Sequence, residues 1–310
     1  MSRAFVFPGQ GAQSIGMGQQ LAQKYPAARA VFEETDEALG EKLSALIWDG
    51  ELDELTLTEN AQPALMATSI AALRALEAEG LGLESVEFVA GHSLGEYSAL
   101  AAAGAISVTD TAILLRARGR AMQQAVPVGV GAMAALLGLD FETASKAASE
   151  AAQGQVCCAA NDNDPGQVVV SGHKEAVERA IEIAKGMGAR RAVLLPVSAP
   201  FHCELMAPAA EAMAEALALT EIKAPSVPLV ANVLAAPVSD PEEIRALLVQ
   251  QITGAVRWRE SVVWMVDQGV NEIWEIGAGK ALSGMIRRIA KEVTTRQVGT
   301  PDDVVSASKG

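Results

Sequence analysis

The stretch Val86-Glu87-Phe88-Val89-Ala90-Gly91-His92-Ser93-Leu94-Gly95-Glu96-Tyr97 decides the fold. Residues 86–90 read as a short buried strand, rich in β-branched and aromatic side chains. Residues 96–103 are Ala-rich and read as a helix. Between them stands a G-x-S-x-G pentapeptide. A strand that turns through such a pentapeptide into a helix is the setting in which a serine hydroxyl is pushed into solvent. The flanking glycines permit the tight turn. The helix behind it offers free N–H groups and a positive dipole end to a developing oxyanion. The plainer alternative is a Gly-rich turn with a helix-capping serine.

Outward from this turn, short β-like runs alternate with longer helical ones, the pattern of an α/β protein. A first strand covers 4–7, and helices cover 17–39, 62–79 and 110–124. The segment that follows has its own order. Strands at 132–137, 155–160, 167–171 and 190–196 enclose helices at 141–152 and 174–187, with a turn at 161–166. That β-α-β-β-α-β order is ferredoxin-like. It predicts a small subdomain at 127–197 inserted into a larger α/β part made of 1–126 and 198–310. In the second half of that part, helices are expected at 204–217, 241–251, 257–268 and 280–290, and strands at 228–231 and 272–276. The polar tail from Gly299 is expected to be loosely held.

Composition narrows the function. Among 310 residues, 24 Lys and Arg stand against 38 Asp and Glu, a net charge of −14, and half the residues are hydrophobic. Such a chain can bury a core, which argues against disorder. Its field repels phosphate, which argues against general nucleic-acid binding. The same field is expected to repel an acidic protein. Cys157, Cys158 and Cys203 make an odd count with no disulfide framework and no zinc-type spacing, which points to a reducing, cytoplasmic setting. Residues 1–11 lack a signal-peptide core, and no apolar run is long enough to span a membrane.

A serine nucleophile needs a base, and the chain offers three histidines. His92 adjoins Ser93, so its ring is expected to point away from the hydroxyl. His173 opens a predicted helix as a surface or capping residue. His202, in the loop Ser198-Ala199-Pro200-Phe201-His202-Cys203, is left as the base by elimination. The third member stays open: Asp110, Asp140, Asp162 and Asp164 all lie between Ser93 and His202, and a backbone carbonyl would serve equally. The loop Phe7-Pro8-Gly9-Gln10-Gly11 fits neither the Walker spacing nor the dinucleotide fingerprint. It suits an oxyanion hole, with the Gln10 N–H as second donor. On the helix after the elbow, Arg116 and Arg120 share a face by i, i+4 spacing and read as solvated. Arg118 points to the apolar side and needs an anion, which is either a substrate carboxylate or an internal acid.

Several separated motifs together resemble the malonyl-CoA:acyl carrier protein transacylases and the acyltransferase domains of fatty acid and polyketide synthases. They are Phe-Pro-Gly-Gln-Gly at 7–11, Gln62-Pro63-Ala64, Gly-His-Ser-Leu-Gly-Glu-Tyr-Ser-Ala at 91–99 and Arg118-Gly119. Met122-Gln123, Gly131 to Ala134, Pro165 to Val169, Phe201-His202 and Gln251 complete the set. The resemblance implies an α/β-hydrolase-like large subdomain with a ferredoxin-like (βαββαβ) insert. It implies Ser93 as the malonylated nucleophile, His202 as base, and the Gln10 and Leu94 N–H groups as the oxyanion hole. Arg118 would hold the malonyl carboxylate, and the Gln251 main-chain carbonyl would orient His202. Gln62, Met122 and Phe201 would line the pocket, with Phe201 disfavouring an α-methyl group.

Malonyl-CoA and acyl carrier protein would be the partners, with no cofactor and no metal, in a monomer serving type II fatty acid synthesis. A trans-acting polyketide-type acyltransferase and a serine thioesterase or hydrolase are the rival activities, and a non-catalytic carrier-binding scaffold is a rival of another class. Both implied partners are acidic, so a local basic field is expected around the cleft, from Lys185, Arg190, Arg191, Lys280, Arg287, Arg288 or Lys291.

Overall fold

The computed structural model describes residues 2–197 and 199–309. Met1, Gly310 and Ser198, the predicted start of the His202 loop, lie outside them. Ten strands are found among the described residues. They are β1 (Arg3–Phe7), β2 (Phe88–Gly91), β3 (Gly131–Leu137), β4 (Cys157–Asp164), β5 (Gln167–His173), β6 (Arg191–Leu194), β7 (Leu229–Ala231), β8 (Ala236–Val238), β9 (Glu272–Ile276) and β10 (Thr294–Val298).

One sheet runs β10-β9-β1-β2-β7-β8, parallel except for the β7–β8 edge pair. Its central strands are buried on both faces: Ala4, Val6 and Ala90 face one core, Phe5, Phe7 and Val89 the other. This is why they read as continuous apolar runs rather than alternating ones. The other sheet, β4-β5-β3-β6, is antiparallel throughout, with helices Phe141–Ala152 and Lys174–Gly186 in the crossovers. That order is the ferredoxin-like one, and the fold is the α/β class expected.

The two sheets are joined by buried charge and by backbone. Asp162 and Asp164 at the end of β4 pair with Arg259 and Arg288 of the large part. Asn161 bridges Val256, and the Asp162 N–H donates to the Val256 carbonyl at 2.9 Å. The predicted 161–166 turn is therefore mostly strand, and the reversal is confined to Pro165 and Gly166.

Other expectations also change. The helix expected over 17–39 is two, Gln19–Lys24 and Pro26–Leu39, broken because Pro26 lacks the N–H to continue the first. The 299–310 tail is not loose. Helix Pro301–Ser308 starts in a Thr300/Asp303 capping box and buries Val304 and Ala307. Strands β8 and β10 and helices Leu43–Asp49 and Leu52–Thr56 were not legible in the pattern. Arg116 is not solvated: it is 7% exposed and bonds Glu41 and Asn60.

The elbow requires its second glycine. A Cβ on Gly95 would stand 2.2 Å from the Phe7 carbonyl oxygen, on the rigid central strand β1. Gly95→Ala is expected to cost roughly 1–3 kcal/mol, the usual range for overpacking. Urea denaturation checks this; an unchanged midpoint would contradict it.

Candidate active site

Parallel pairing of β1 and β2 sets Phe7 beside Gly91. The loops leaving their C-terminal ends, the Gly9-Gln10-Gly11 loop and the serine elbow, therefore emerge together, where ligands of open α/β sheets bind. Both line one cavity of about 400 Å³, as do Gln62, Arg118, Met122, Phe201 and His202. Among the sequence-derived candidates only Gln251 does not line it; it lies fully buried just behind.

Ser93 Oγ and His202 Nε2 stand 2.7 Å apart. His202 Nδ1 stands 2.8 Å from the main-chain oxygen of Gln251. A carbonyl can only accept, so Nδ1 carries the ring proton and Nε2 presents its lone pair. The serine hydroxyl therefore donates to Nε2. Both Ser93 (φ +53°) and His202 (φ +58°) occupy the left-handed region. Such strain costs on the order of 1–3 kcal/mol per residue and gathers at working sites.

His202 is 3% exposed. Burial, aided by the nearby Arg118 charge, drives its pKa down to about 3. The imidazole is thus neutral and proton-accepting across the neutral range. The four candidate acids are committed elsewhere. Asp110 bonds Ser107, Asp140 caps a helix, and Asp162 and Asp164 hold Arg259 and Arg288. Of the two alternatives for orienting His202, the carbonyl is the one in place.

Arg118 is 1% exposed. Its Nη1 donates to Gln62 Oε1 at 2.8 Å, and its Nη2 to Gln251 Oε1 at 2.8 Å and to Ser93 Oγ at 3.1 Å. No carboxylate forms an ion pair with it among the described residues. Gln62 Nε2 in turn lies 3.8 Å from Met122 Sδ. The cation is thus held by amide oxygens and left electrically available beside the hydroxyl.

The elbow distributes its N–H groups unequally. That of Ser93 donates to Asn232 Oδ1 at 2.9 Å. Those of Leu94 and Gln10 donate to no other described protein group, and both residues line the cavity. His92 turns away from Ser93 as expected, with Nε2 2.8 Å from Asn163 Oδ1 and its ring against Trp258. His173 accepts the Val156 N–H on Nδ1, far along the chain from the elbow.

The model of the acyl transferase domain matches residues 4–298. The chain belongs to the acyl transferase domain family. Within this family it is 47% identical over 302 residues to the malonyl CoA-acyl carrier protein transacylase of Bacillus subtilis, covering 97% of this chain and 94% of the relative. It superposes with a TM-score of 0.97 on the acyl-carrier-protein-S-malonyltransferase of Bartonella henselae, at 57% identity, covering 100% and 99% of the two chains. A malonyl-transacylase solved in complex with a type II PKS acyl-carrier protein is 43% identical, with a TM-score of 0.96 and coverage of 100% and 99%.

Two polar residues of this acyl transferase site escaped the sequence reading. Asn232 ends β7, and its amide spans the elbow, from the Ser93 N–H to the Gly91 carbonyl at 2.7 Å. Glu96 lies in the first turn of helix Gly95–Ala102 and is 1% exposed. Its signal was a carboxylate inside an otherwise apolar helix, easily taken for a partner of the helix dipole. Lys280 immediately precedes Ala281, which lines the acyl transferase cavity. Lys185 and Arg287 are bonded away from it, to Glu182 and Thr295.

Proposed function

We propose that this chain transfers a malonyl group from malonyl-CoA to the phosphopantetheine thiol of an acyl carrier protein, through a malonyl ester on Ser93. One observation carries this reading: a fully buried guanidinium beside the nucleophile, bonded to amides and free of any carboxylate. A buried cation with no carboxylate bonded to it directly is costly, and Glu96 reaches Arg118 only through the Gln251 amide, so the site is built for a substrate that brings a carboxylate to the guanidinium. The names of the relatives, malonyl transacylases throughout, support the same acyl group.

Ser93 Oγ attacks the thioester carbonyl while its proton passes to His202 Nε2. The Leu94 and Gln10 N–H groups are placed to hold the oxyanion. Collapse expels the coenzyme A thiolate, which takes the proton back from His202. The carrier thiol then gives its proton to His202 and attacks the serine ester. Collapse breaks the Ser93 Oγ–acyl bond, Oγ takes the proton back from His202 Nε2, and the malonyl group leaves on the carrier thioester. One thioester replaces another, so no redox or metal chemistry is needed. Gln251 holds the base through its main chain and Arg118 through its side chain, which couples the two functions in one residue. A serine hydrolase would want an acid on His202 Nδ1, and a carbonyl stands there.

We read the protein as cytoplasmic and monomeric, with no nucleic-acid partner, and as serving fatty acid synthesis. No described helix is long and apolar enough to cross a membrane. A polyketide-type carrier is the second reading, favoured by the complex cited above. Lys280, which precedes the helix Ala281–Ile289 that lines the cavity, is the basic residue we assign to meeting an acidic carrier, since Arg288 is taken up by Asp164. The test is a transfer assay with malonyl-CoA and holo-carrier. Parallel double-reciprocal lines and malonyl-carrier as product are expected; free malonate as the sole product would contradict the transferase reading.

Phe201 is 8% exposed and lines the cavity beside His202. Phe201→Ala is expected to raise the methylmalonyl-to-malonyl ratio of kcat/KM roughly tenfold, about the worth of room for one methyl group. Competition between the two thioesters measures it; an unchanged ratio would remove Phe201 as gatekeeper.

A further inference from the structure

Beneath the nucleophile lies a polar network in which Glu96 and Asn232 have no part in the transfer steps. Glu96 Oε2 accepts the Asn232 N–H at 2.9 Å and a Gln251 Nε2 hydrogen at 3.0 Å. The same Gln251 amide nitrogen donates to the Ser93 carbonyl at 3.0 Å. At its other end, Gln251 Oε1 accepts from Arg118 Nη2 at 2.8 Å. Two buried opposite charges, Glu96 and Arg118, are therefore joined through one neutral amide.

An amide has ends of opposite polarity. If Gln251 were flipped, its NH2 would meet the Arg118 guanidinium, donor against donor, and its oxygen would meet the Glu96 carboxylate. Glu96 is the charged acceptor that opposes this flip. Arg118 keeps its bond to Gln251, and hence its approach to Ser93 Oγ, only while the amide oxygen faces it.

We propose that Glu96 is a positioning residue for acyl selectivity: by holding the Gln251 amide it aims Arg118 at the carboxylate of the malonyl group on Ser93. This rests on the reading of Arg118 as the carboxylate clamp. The network tolerates protonation. Burial pushes the Glu96 pKa up to about 7, against the hydrogen bonds from Asn232 and Gln251 and the charge of Arg118. Oε1 has no partner, so a proton placed there leaves Oε2 free to accept as before.

The test compares acylation of the full-length protein by malonyl-CoA and by acetyl-CoA, followed as coenzyme A release. Glu96→Met keeps the volume without an acceptor and is expected to lower the malonyl-to-acetyl ratio at least about tenfold. Glu96→Gln can place its carbonyl where Oε2 stood, and is expected to hold the ratio within about threefold. Glu96→Asp withdraws the acceptor but keeps the charge; it is expected to lower the ratio, and it keeps the test open should the Met variant not fold. In an Arg118→Ala background, Glu96→Met is expected to leave the ratio where Arg118→Ala alone sets it.

Equal loss with both donors, a further fall of the ratio in the Arg118→Ala background, or a Glu96→Gln ratio as low as that of Glu96→Met would overturn the positioning role. An Arg118→Ala ratio equal to that of the unaltered protein would instead remove the clamp reading beneath it.

Discussion

Arg118→Ala is expected to lower kcat/KM for malonyl-CoA roughly 10²- to 10³-fold, about 3–4 kcal/mol, the scale for losing one partner of a buried charge pair. The malonyl group would enter a buried pocket with its carboxylate unmet. Acetyl-CoA brings no charge, so its turnover should fall far less, and the discrimination between the two should collapse. The loss should not be a folding defect, because Arg118 holds no acid of the protein: its partners are Gln62, Gln251 and the Ser93 hydroxyl. Parallel kinetics with both thioesters check this. Malonyl transfer that survives the substitution intact would contradict the clamp.

His202→Ala is expected to slow acylation about 10³- to 10⁴-fold, toward the upper part of the range for general base catalysis. Ser93 Oγ would keep the Arg118 Nη2 contact, which stabilises an oxyanion but accepts no proton. The same geometry fixes a pH dependence. With the His202 pKa at about 3, the base stays unprotonated as pH falls through about 6.5, where a free imidazole would be half-protonated. The His202 limb of kcat/KM is therefore expected well below pH 6.5. A rate that halves near pH 6.5 and follows a single ionisation assigned to His202 would contradict the burial argument.

Legibility in the sequence followed the range of the interactions. The elbow was readable because strand, glycines and helix are contiguous, although Phe7, Asn232 and Gln251 from elsewhere in the chain hold Ser93 in it. The ferredoxin-like segment was readable because its strand and helix periods switch within a short span. His202 was reachable by elimination, since only two other histidines competed.

The rest depended on neighbours far along the chain. Whether a carbonyl or an acid held His202 could not be read locally, because Gln251 reaches it across 49 residues. Arg116 read as solvated because its helix face looked polar, yet Glu41 and Asn60 from elsewhere bury it. The C-terminal helix looked like a loose tail because its apolar contacts are few, and its Thr300/Asp303 cap was overlooked. Glu96 stood within the 91–99 motif without a role of its own, and Asn232 carried no motif; their meaning lies in the amide of Gln251, which neither adjoins in sequence. The net charge of −14 turned out to bound little at the site, where the working charge is one buried arginine.

Intact-protein mass spectrometry after brief mixing with malonyl-CoA tests the central claim most directly. The account predicts one malonyl increment on the protein, located to the peptide carrying Ser93, absent from Ser93→Ala and discharged on adding holo-acyl carrier protein. A protein that releases coenzyme A yet carries no adduct, or one whose adduct persists in Ser93→Ala, would contradict it.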